Sequence, residues 1–321
     1  MRVITKTHTG SIVSDTYLNL EYLYVGDYGK QNNIKADFLG YTKRIDKVEH
    51  MPVDITEKLV VTVSTQKGCP MNCNFCDCPK LGFKGNASIA EMVHEITGGI
   101  ALSGITHGKR LNVHFARMGE PTFNFDVIKA ARTIGETTKG MFDEYHPVVS
   151  TMMPKNNKKL FQFLMEWAYL QNTDDWNGGV GLQLSINTVN EDDRNKMFNG
   201  KSLSLSDISK IANLLPYPVG RKYTLNFAVT SKSDLDPKVL DWYFDKKKFI
   251  IKLTPIHETK EAVSNGYEIV TDFDVYEKFE KPLVAEGWDV IVFVPSKEED
   301  ADRITCGNAL LAIQEFERNT Q

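Results

Sequence analysis

Val63-Ser-Thr-Gln-Lys-Gly-Cys69-Pro-Met-Asn-Cys73-Asn-Phe-Cys76-Asp-Cys78-Pro-Lys-Leu-Gly-Phe83 holds four of the chain's five cysteines within ten residues, three of them spaced C-x3-C-x2-C. No helix or strand presents three thiols to one point at that spacing. A loop wrapped around a metal cluster does, because soft thiolates converge on iron or zinc. The alternatives are a zinc site and buried, unreactive thiols. Structural zinc takes four ligands, commonly from two C-x2-C arms. Here the second arm is absent and the one distant cysteine, Cys306, is single, so a cluster loop is the better-fitting expectation.

Working outward, Leu59-Val-Val-Thr-Val63 is a β-branched run that reads as a buried strand delivering the loop. Ser88-Ile-Ala-Glu91 is a capping box, and Ile89, Met92, Val93, Ile96 and Ile100 recur at helical spacing, so a helix follows the loop. From there the patterns alternate. Strands are expected at 111–115, 147–151, 180–186, 223–229, 249–253 and 290–294, with helices near 125–138, 158–169, 206–215, 237–244 and 274–286. Repeated β-then-α units with right-handed crossovers imply a parallel sheet. The expected fold class is α/β, a whole or partial barrel with its chemistry on loops at the carboxyl ends of the strands. Residues 59–321 make this barrel, and residues 1–58 a small β-rich amino-terminal extension. In the extension Thr16–Tyr24 alternates apolar and polar positions, Gly26–Gly29 turns the chain, and Lys35–Leu39 resumes an extended course.

With 38 basic and 42 acidic residues, net −4, the chain of 321 residues has no global basic field to draw nucleic acid. This weakens a polyanion partner without excluding a local patch; Lys43, Arg44 and Lys47 read as a solvated surface. The amino terminus lacks a signal-peptide apolar core and no stretch approaches membrane-spanning length, so a cytoplasmic location with no membrane partner is expected. Closely packed cysteines in a reducing compartment serve more often as metal or redox ligands than as disulfides.

The strand-end loops supply candidates for the rest of a site. In Arg117-Met-Gly-Glu-Pro-Thr122, Gly119 permits close backbone approach and Glu120 offers a carboxylate to an amine. Ser150-Thr151, Ser185-Ile-Asn187 and His257 bring polar groups to the same mouth. Gly104-Ile-Thr-His-Gly108-Lys109 precedes a strand and not a helix, so it is no phosphate-binding loop. Gly178, Gly179 and Gly181 read as a turn.

These residues together carry a family resemblance. The cysteine loop, with Phe75 beside Cys76, resembles the radical S-adenosylmethionine superfamily, in which three cysteines hold a [4Fe-4S] cluster whose fourth iron chelates S-adenosylmethionine. The likeness narrows with Ser64–Cys69, Gly82-Phe83, Met118–Pro121, Ser150-Thr151, Leu184–Asn187 leading to Asn190 through Arg194, Leu253–Pro255 and Cys306-Gly307, which follow the order and approximate spacing of the ribosomal and transfer RNA adenine methyl synthases. The resemblance implies a partial (β/α)6-type barrel and Cys69, Cys73 and Cys76 as cluster ligands. It further implies S-adenosylmethionine held by Gly119, Glu120, Ser150, Ser185, Asn187 and His257, with Cys306 as the methyl-carrying thiol. In the family mechanism that thiolate takes a methyl group by displacement, a second S-adenosylmethionine is reductively cleaved to a 5′-deoxyadenosyl radical, and the radical made on the S-methyl group adds to adenine. Three departures bear on this transfer, one of them that the family's histidine and asparagine at the ligand-binding strand ends appear here as Asn187 and His257. The family's second cysteine, seven residues before the first cluster ligand, is Thr62 here, and a hydroxyl cannot form the disulfide that releases product. Cys78 is the spare thiol beside the cluster, and the family's amino-terminal helical RNA-binding domain is replaced by the β-rich extension. Implied partners are an RNA or nucleotide substrate and a flavodoxin- or ferredoxin-type electron donor. The other readings are a divergent radical enzyme acting on a nucleotide, nucleic acid or peptide without methyl-cysteine chemistry, and a non-catalytic cluster-binding or regulatory protein.

Overall fold

The computed structural model describes residues 2–41, 52–172, 176, 178–270, 273–304 and 309–319. Cys306 and the Lys43, Arg44 and Lys47 cluster lie outside the described residues. Among those described, the strands are β1 (Arg2–Lys6), β2 (Gly10–Asp15), β3 (Leu20–Val25), β4 (Ile34–Lys35), β5 (Leu59–Val63), β6 (Gly108–Phe115), β7 (Phe142–Thr151), β8 (Gly181–Ser185), β9 (Tyr223–Val229), β10 (Phe249–Pro255) and β11 (Val290–Phe293). They form one sheet in the order β1-β2-β3-β5-β6-β7-β8-β9-β10-β11-β4. From β5 to β11 every neighbouring pair is parallel. Helices Ile89–Ser103, Asp126–Thr137, Leu160–Gln171, Leu205–Leu214, Pro237–Tyr243 and Phe273–Ala285 make the successive crossovers. The edge strands β1 and β4 do not pair with each other, so the curved sheet is a partial barrel.

The two-residue period of a strand sorts the side chains. In β5, Leu59, Val61 and Val63 are fully buried in the main core, while Val60 and Thr62 line the barrel interior. The same parity puts Leu111, Val113 and Phe115 in the core and turns Asn112 and His114 inward. The barrel is therefore dry on its outer, helix-covered face and polar within. The capping box forms: Ser88 Oγ accepts from Glu91 N at 3.2 Å, and the Glu91 carboxylate accepts from Ser88 N at 2.8 Å. Gly104 ends that helix at φ 74°.

The extension joins the barrel sheet, because β3 pairs antiparallel with β5 through Leu23↔Thr62, Tyr24↔Val61 and Val25↔Val60. Three local expectations are corrected. Thr16–Asn19 is a hairpin turn and not strand: Asp15 Oδ1 accepts the N–H groups of Tyr17 and Leu18 at 2.9 and 2.8 Å, and Asn19 adopts φ 54°. The extended course expected over Lys35–Leu39 is limited to Lys35 and Ala36, because Asp37–Leu39 winds into a 3₁₀ turn closed by Gly40 at φ 77°. Gly181, expected in a turn, begins β8, where a Cβ would lie 3.0 Å from Val148 and 3.2 Å from the Arg221 guanidinium. No helix among the described residues is long and apolar enough to cross a membrane.

Candidate active site at the carboxyl mouth of the barrel

The cysteine loop leaves the carboxyl end of β5 and is fastened by backbone and side-chain groups from several parts of the barrel. Gly68, at φ 79°, lies so close to Gly82 that a Cβ would sit 1.5 Å from its carbonyl oxygen. Lys67 N donates to Gly85 O and Lys84 N to Lys67 O, both at 2.9 Å, closing a narrow ribbon. From the segment after β8, Asn74 N reaches Met197 O at 2.9 Å, and Lys201 Nζ donates to Pro70 O at 2.6 Å. From the segment after β10, the N–H groups of Lys260 and Glu261 donate to the Asp77 carboxylate at 3.0 and 2.8 Å, and Thr259 Oγ1 donates to Phe75 O at 2.9 Å. The Phe75 ring meets Phe198 and Tyr267 edge-on, with centroids at 5.8 and 6.4 Å. Loop geometry is thus over-determined by distant parts of the barrel.

Cys69, Cys73 and Cys76 are partly buried and Cys78 is buried. Cys69 and Cys73 pack against an apolar cluster that includes Met71, Met152, Phe198 and Ile256. Burial pushes the Cys69 thiol up to about 11 although the N–H groups of Met71 and Gly119 favour the thiolate. Burial also raises Cys73, with the neighbouring Cys69 adding to it. Thiols in such surroundings ionise when a metal displaces the proton. Among the described residues no three His, Cys, Asp or Glu side chains are close enough to hold a single metal ion. The donor set fits an iron–sulfur cluster by its chemistry, three soft thiols on one clamped loop within an apolar shell.

Cys69, Cys76 and Cys78 line a cavity of about 520 Å³ that also reaches Thr62, Gly119 and His257. Gly119, at φ 95°, packs on Gln66 so tightly that a Cβ would come within 2.5 Å of that side chain. Gln66 Oε1 accepts from Glu120 N at 2.9 Å. Glu120 is buried, and its carboxylate receives Thr122 Oγ1 and Thr151 Oγ1 at 2.7 Å, Met152 N at 3.0 Å and Thr122 N at 3.2 Å. Burial raises its pKa, and these donors pull it back. The carboxylate thus ties the end of β6 to the end of β7.

Ser150 Oγ faces Gln183 Oε1 at 3.4 Å inside the barrel. Ser185 gives its carbonyl to Arg194 Nη1 at 2.9 Å. Asn187, at φ 66°, is buried and accepts from Ala228 N at 3.1 Å, so its side chain joins β8 to β9. Cys78 Sγ donates to Arg117 O at 3.6 Å.

Two features escaped the sequence reading. Arg194 spans the end of β8, donating also to Ile186 O and Ser202 Oγ and lying over the Phe198 ring at 4.7 Å. Its place in the Asn190–Arg194 run was the available signal. The second is a buried ion pair, Arg117 to Glu21 at 2.6 Å. Arg117 Nη1 donates to Ile304 O at 3.0 Å and Glu21 Oε2 accepts from Leu310 N at 2.5 Å. A single glutamate in the alternating stretch around β3 carries no such signal in one dimension.

No protein-family model matches the chain. It is 27% identical over 233 residues to the dual-specificity RNA methyltransferase RlmN of Wolinella succinogenes, covering 71% of this chain and 57% of the relative. It is 24% identical over 266 residues to RlmN of Campylobacter fetus, covering 80% and 71%. A third relative, RlmN of Aliarcobacter butzleri, is 26% identical over 190 residues, 58% of this chain and 49% of that one. The chain spans about half the length of the curated relatives it matches. In fold it superposes on the crystal structure of a radical SAM methyltransferase from Sphaerobacter thermophilus with a TM-score of 0.62 at 17% identity, over 93% of this chain and 78% of that one. In sequence the chain is thus similar to the RlmN RNA methyltransferases, and in fold to a radical SAM methyltransferase.

Proposed function

We propose that this chain is a radical S-adenosylmethionine enzyme that methylates adenine in RNA by way of a methylated Cys306. The observation that carries the reading is the convergence of Cys69, Cys76, Gly119 and His257 on one cavity at the barrel mouth. Cys69, Cys73 and Cys76 would hold a [4Fe-4S] cluster, and Gly119, Glu120, Ser150, Ser185, Asn187 and His257 would surround S-adenosylmethionine. When bound, the cluster would pass an electron from a flavodoxin- or ferredoxin-type donor for reductive cleavage of S-adenosylmethionine. The chain's own residues prepare that step. Gly119 brings bare backbone to the ligand, and the apolar shell of Met71, Met152 and Phe198 keeps water from the thiols. Glu120, held by Thr122, Thr151 and Met152, keeps a fixed carboxylate orientation. Residues 59–321 would form the catalytic unit and residues 1–58 its appended β-rich unit.

Cys78 would supply the second thiol where Thr62 cannot. It shares an apolar cluster with Leu310 and Leu311, close in sequence to Cys306. The test is anaerobic reconstitution with iron and sulfide, addition of S-adenosylmethionine and reductant, and peptide mapping. The expected result is S-methylation at Cys306, methyl transfer to RNA adenine, and S-adenosylmethionine affinity at least about tenfold weaker in Glu120→Gln, where donors meet an amide that is no longer an acceptor at both positions. An unmodified Cys306 with S-adenosylmethionine in excess, and no methyl group in RNA, would sink the reading. The presence of Thr62 favours a second one, radical chemistry without methyl-cysteine, marked by 5′-deoxyadenosine release and an activity that survives Cys306→Ala.

A further inference from the structure

The cavity does not end at the cysteines. It continues down the barrel interior past Asn112, His114, Gln183, Thr224 and Asn226 to Lys252 and Arg221. Strand register fixes this arrangement: Lys252 lies beside Asn226, and Thr224 beside Gln183. The Arg221 guanidinium packs on the backbone of Gly181, where a Cβ would approach it to 3.2 Å, and Lys252 Nζ stands 4.9 Å from the centre of the Phe293 ring. The nearby acids are engaged elsewhere. Asp27 pairs with Lys58 at 2.6 Å, Glu21 with Arg117 at 2.6 Å and Glu144 with Arg110 at 2.6 Å, while Glu299 accepts from Ser296 N at 3.0 Å. Among the described residues neither Arg221 nor Lys252 has a carboxylate partner.

A second observation is independent of charge. The side-chain oxygen of Asn112, which lines the same cavity from β6, is buried without a hydrogen-bond partner. An amide can turn its NH₂ group inward instead, so Asn112 offers donors to an acceptor-rich ligand.

We propose that Arg221, Lys252 and Asn112 form an oxyanion site inside the barrel, deep to the cysteine loop, that binds a phosphate group. A guanidinium fork just before β9, an ammonium on β10 and amide and hydroxyl donors on β6, β8 and β9, all lining one cavity, match a tetrahedral oxyanion with several acceptor oxygens. The cavity reaching these residues is continuous with the barrel mouth, so a nucleoside attached to the phosphate would extend toward that mouth. The electrostatics agree. Burial first, then Arg221 and Lys58, depress Lys252 to about 8, and burial, then Lys252, Lys58 and Arg221, depress His114 to about 3. A bound anion relieves that mutual repulsion. The phosphate has two sources, a free nucleotide or the backbone of a nucleic acid strand. The inference is independent of the methyl-transfer reading, since it concerns binding and not turnover.

The test is isothermal titration of the full chain, prepared anaerobically with iron and sulfide, with inorganic phosphate, adenosine 5′-monophosphate and a short single-stranded RNA. Thermal denaturation runs in parallel. Binding is expected to weaken at least about tenfold in Lys252→Met and in Arg221→Gln, and to survive in Lys252→Arg and in the surface control Lys247→Met. Lys252→Met, which removes a crowded cation, is expected to fold and to lose the phosphate-dependent rise in Tm seen in the unaltered chain. Tighter binding of the mononucleotide than of the RNA assigns the site to a free nucleotide, and the reverse order assigns it to a strand. Equal responses of the unaltered chain, Lys252→Met and Arg221→Gln to all three probes overturn the proposal.

Discussion

His114 shows how an inward-facing residue on a barrel strand differs from its neighbours one position away. Val113 and Phe115 are in the core, whereas His114 faces Lys252, Lys58 and Arg221 across the interior. Its folded-state pKa of about 3 lies below the unfolded value of 6.5. Below pH 6.5 the unfolded chain takes up a proton that the folded chain refuses, so stability falls as pH drops from 6.5 toward 3. His114→Asn is expected to flatten that limb, narrowing the loss by about 2 kcal/mol at pH 5. Urea denaturation at pH 7 and pH 5 checks it, and parallel curves for the two proteins would reject it. Glu120 was legible as a site residue in the sequence; that its carboxylate bridges β6 and β7 depends on Thr151 and Met152, which only the fold brings near.

At the scale of the element, the cysteine loop owes its path to Gly68. A side chain there meets two penalties, a φ of 79° and a carbonyl 1.5 Å away. Gly68→Ala is expected to cost at least about 2 kcal/mol and to lower iron uptake on reconstitution. Gly104 is the control, with φ 74° but nothing within 4 Å, and Gly104→Ala is expected to cost about 1 kcal/mol and leave iron uptake unchanged. Thermal denaturation and iron analysis distinguish the two. The alternation of strands and helices was readable because the crossover helices carry an apolar face and the strands short runs with apolar residues at alternate positions. The hairpin at Thr16–Asn19 was not, since Tyr and Leu continue through it and the turn is made by the Asp15 side chain.

Across the whole molecule, the Glu21–Arg117 pair connects the extension to the loop after β6 and to both described flanks of residues 305–308. Removing one member strands a buried charge. Glu21→Ala is expected to destabilise the chain by about 3–5 kcal/mol, and Glu21→Ala with Arg117→Met to recover much of that, because the double variant leaves no unpaired charge. Denaturant titration of the single and double variants measures the difference. Additive losses would show that the pair does not act as a unit.

The sequence alone determined the cysteine spacing, the order of strands and helices and the likeness of the motifs, because these depend on residues near one another in the chain. Tertiary structure decided which distant segments clamp the cysteine loop, that Glu120 is satisfied by Thr122, Thr151 and Met152, and that the extension continues the barrel sheet through β3. It also decided that Arg221 and Lys252, some thirty residues apart, share one interior. The reason is the two-residue strand period: a sequence shows which residues alternate, but only strand register and curvature settle which inward faces meet.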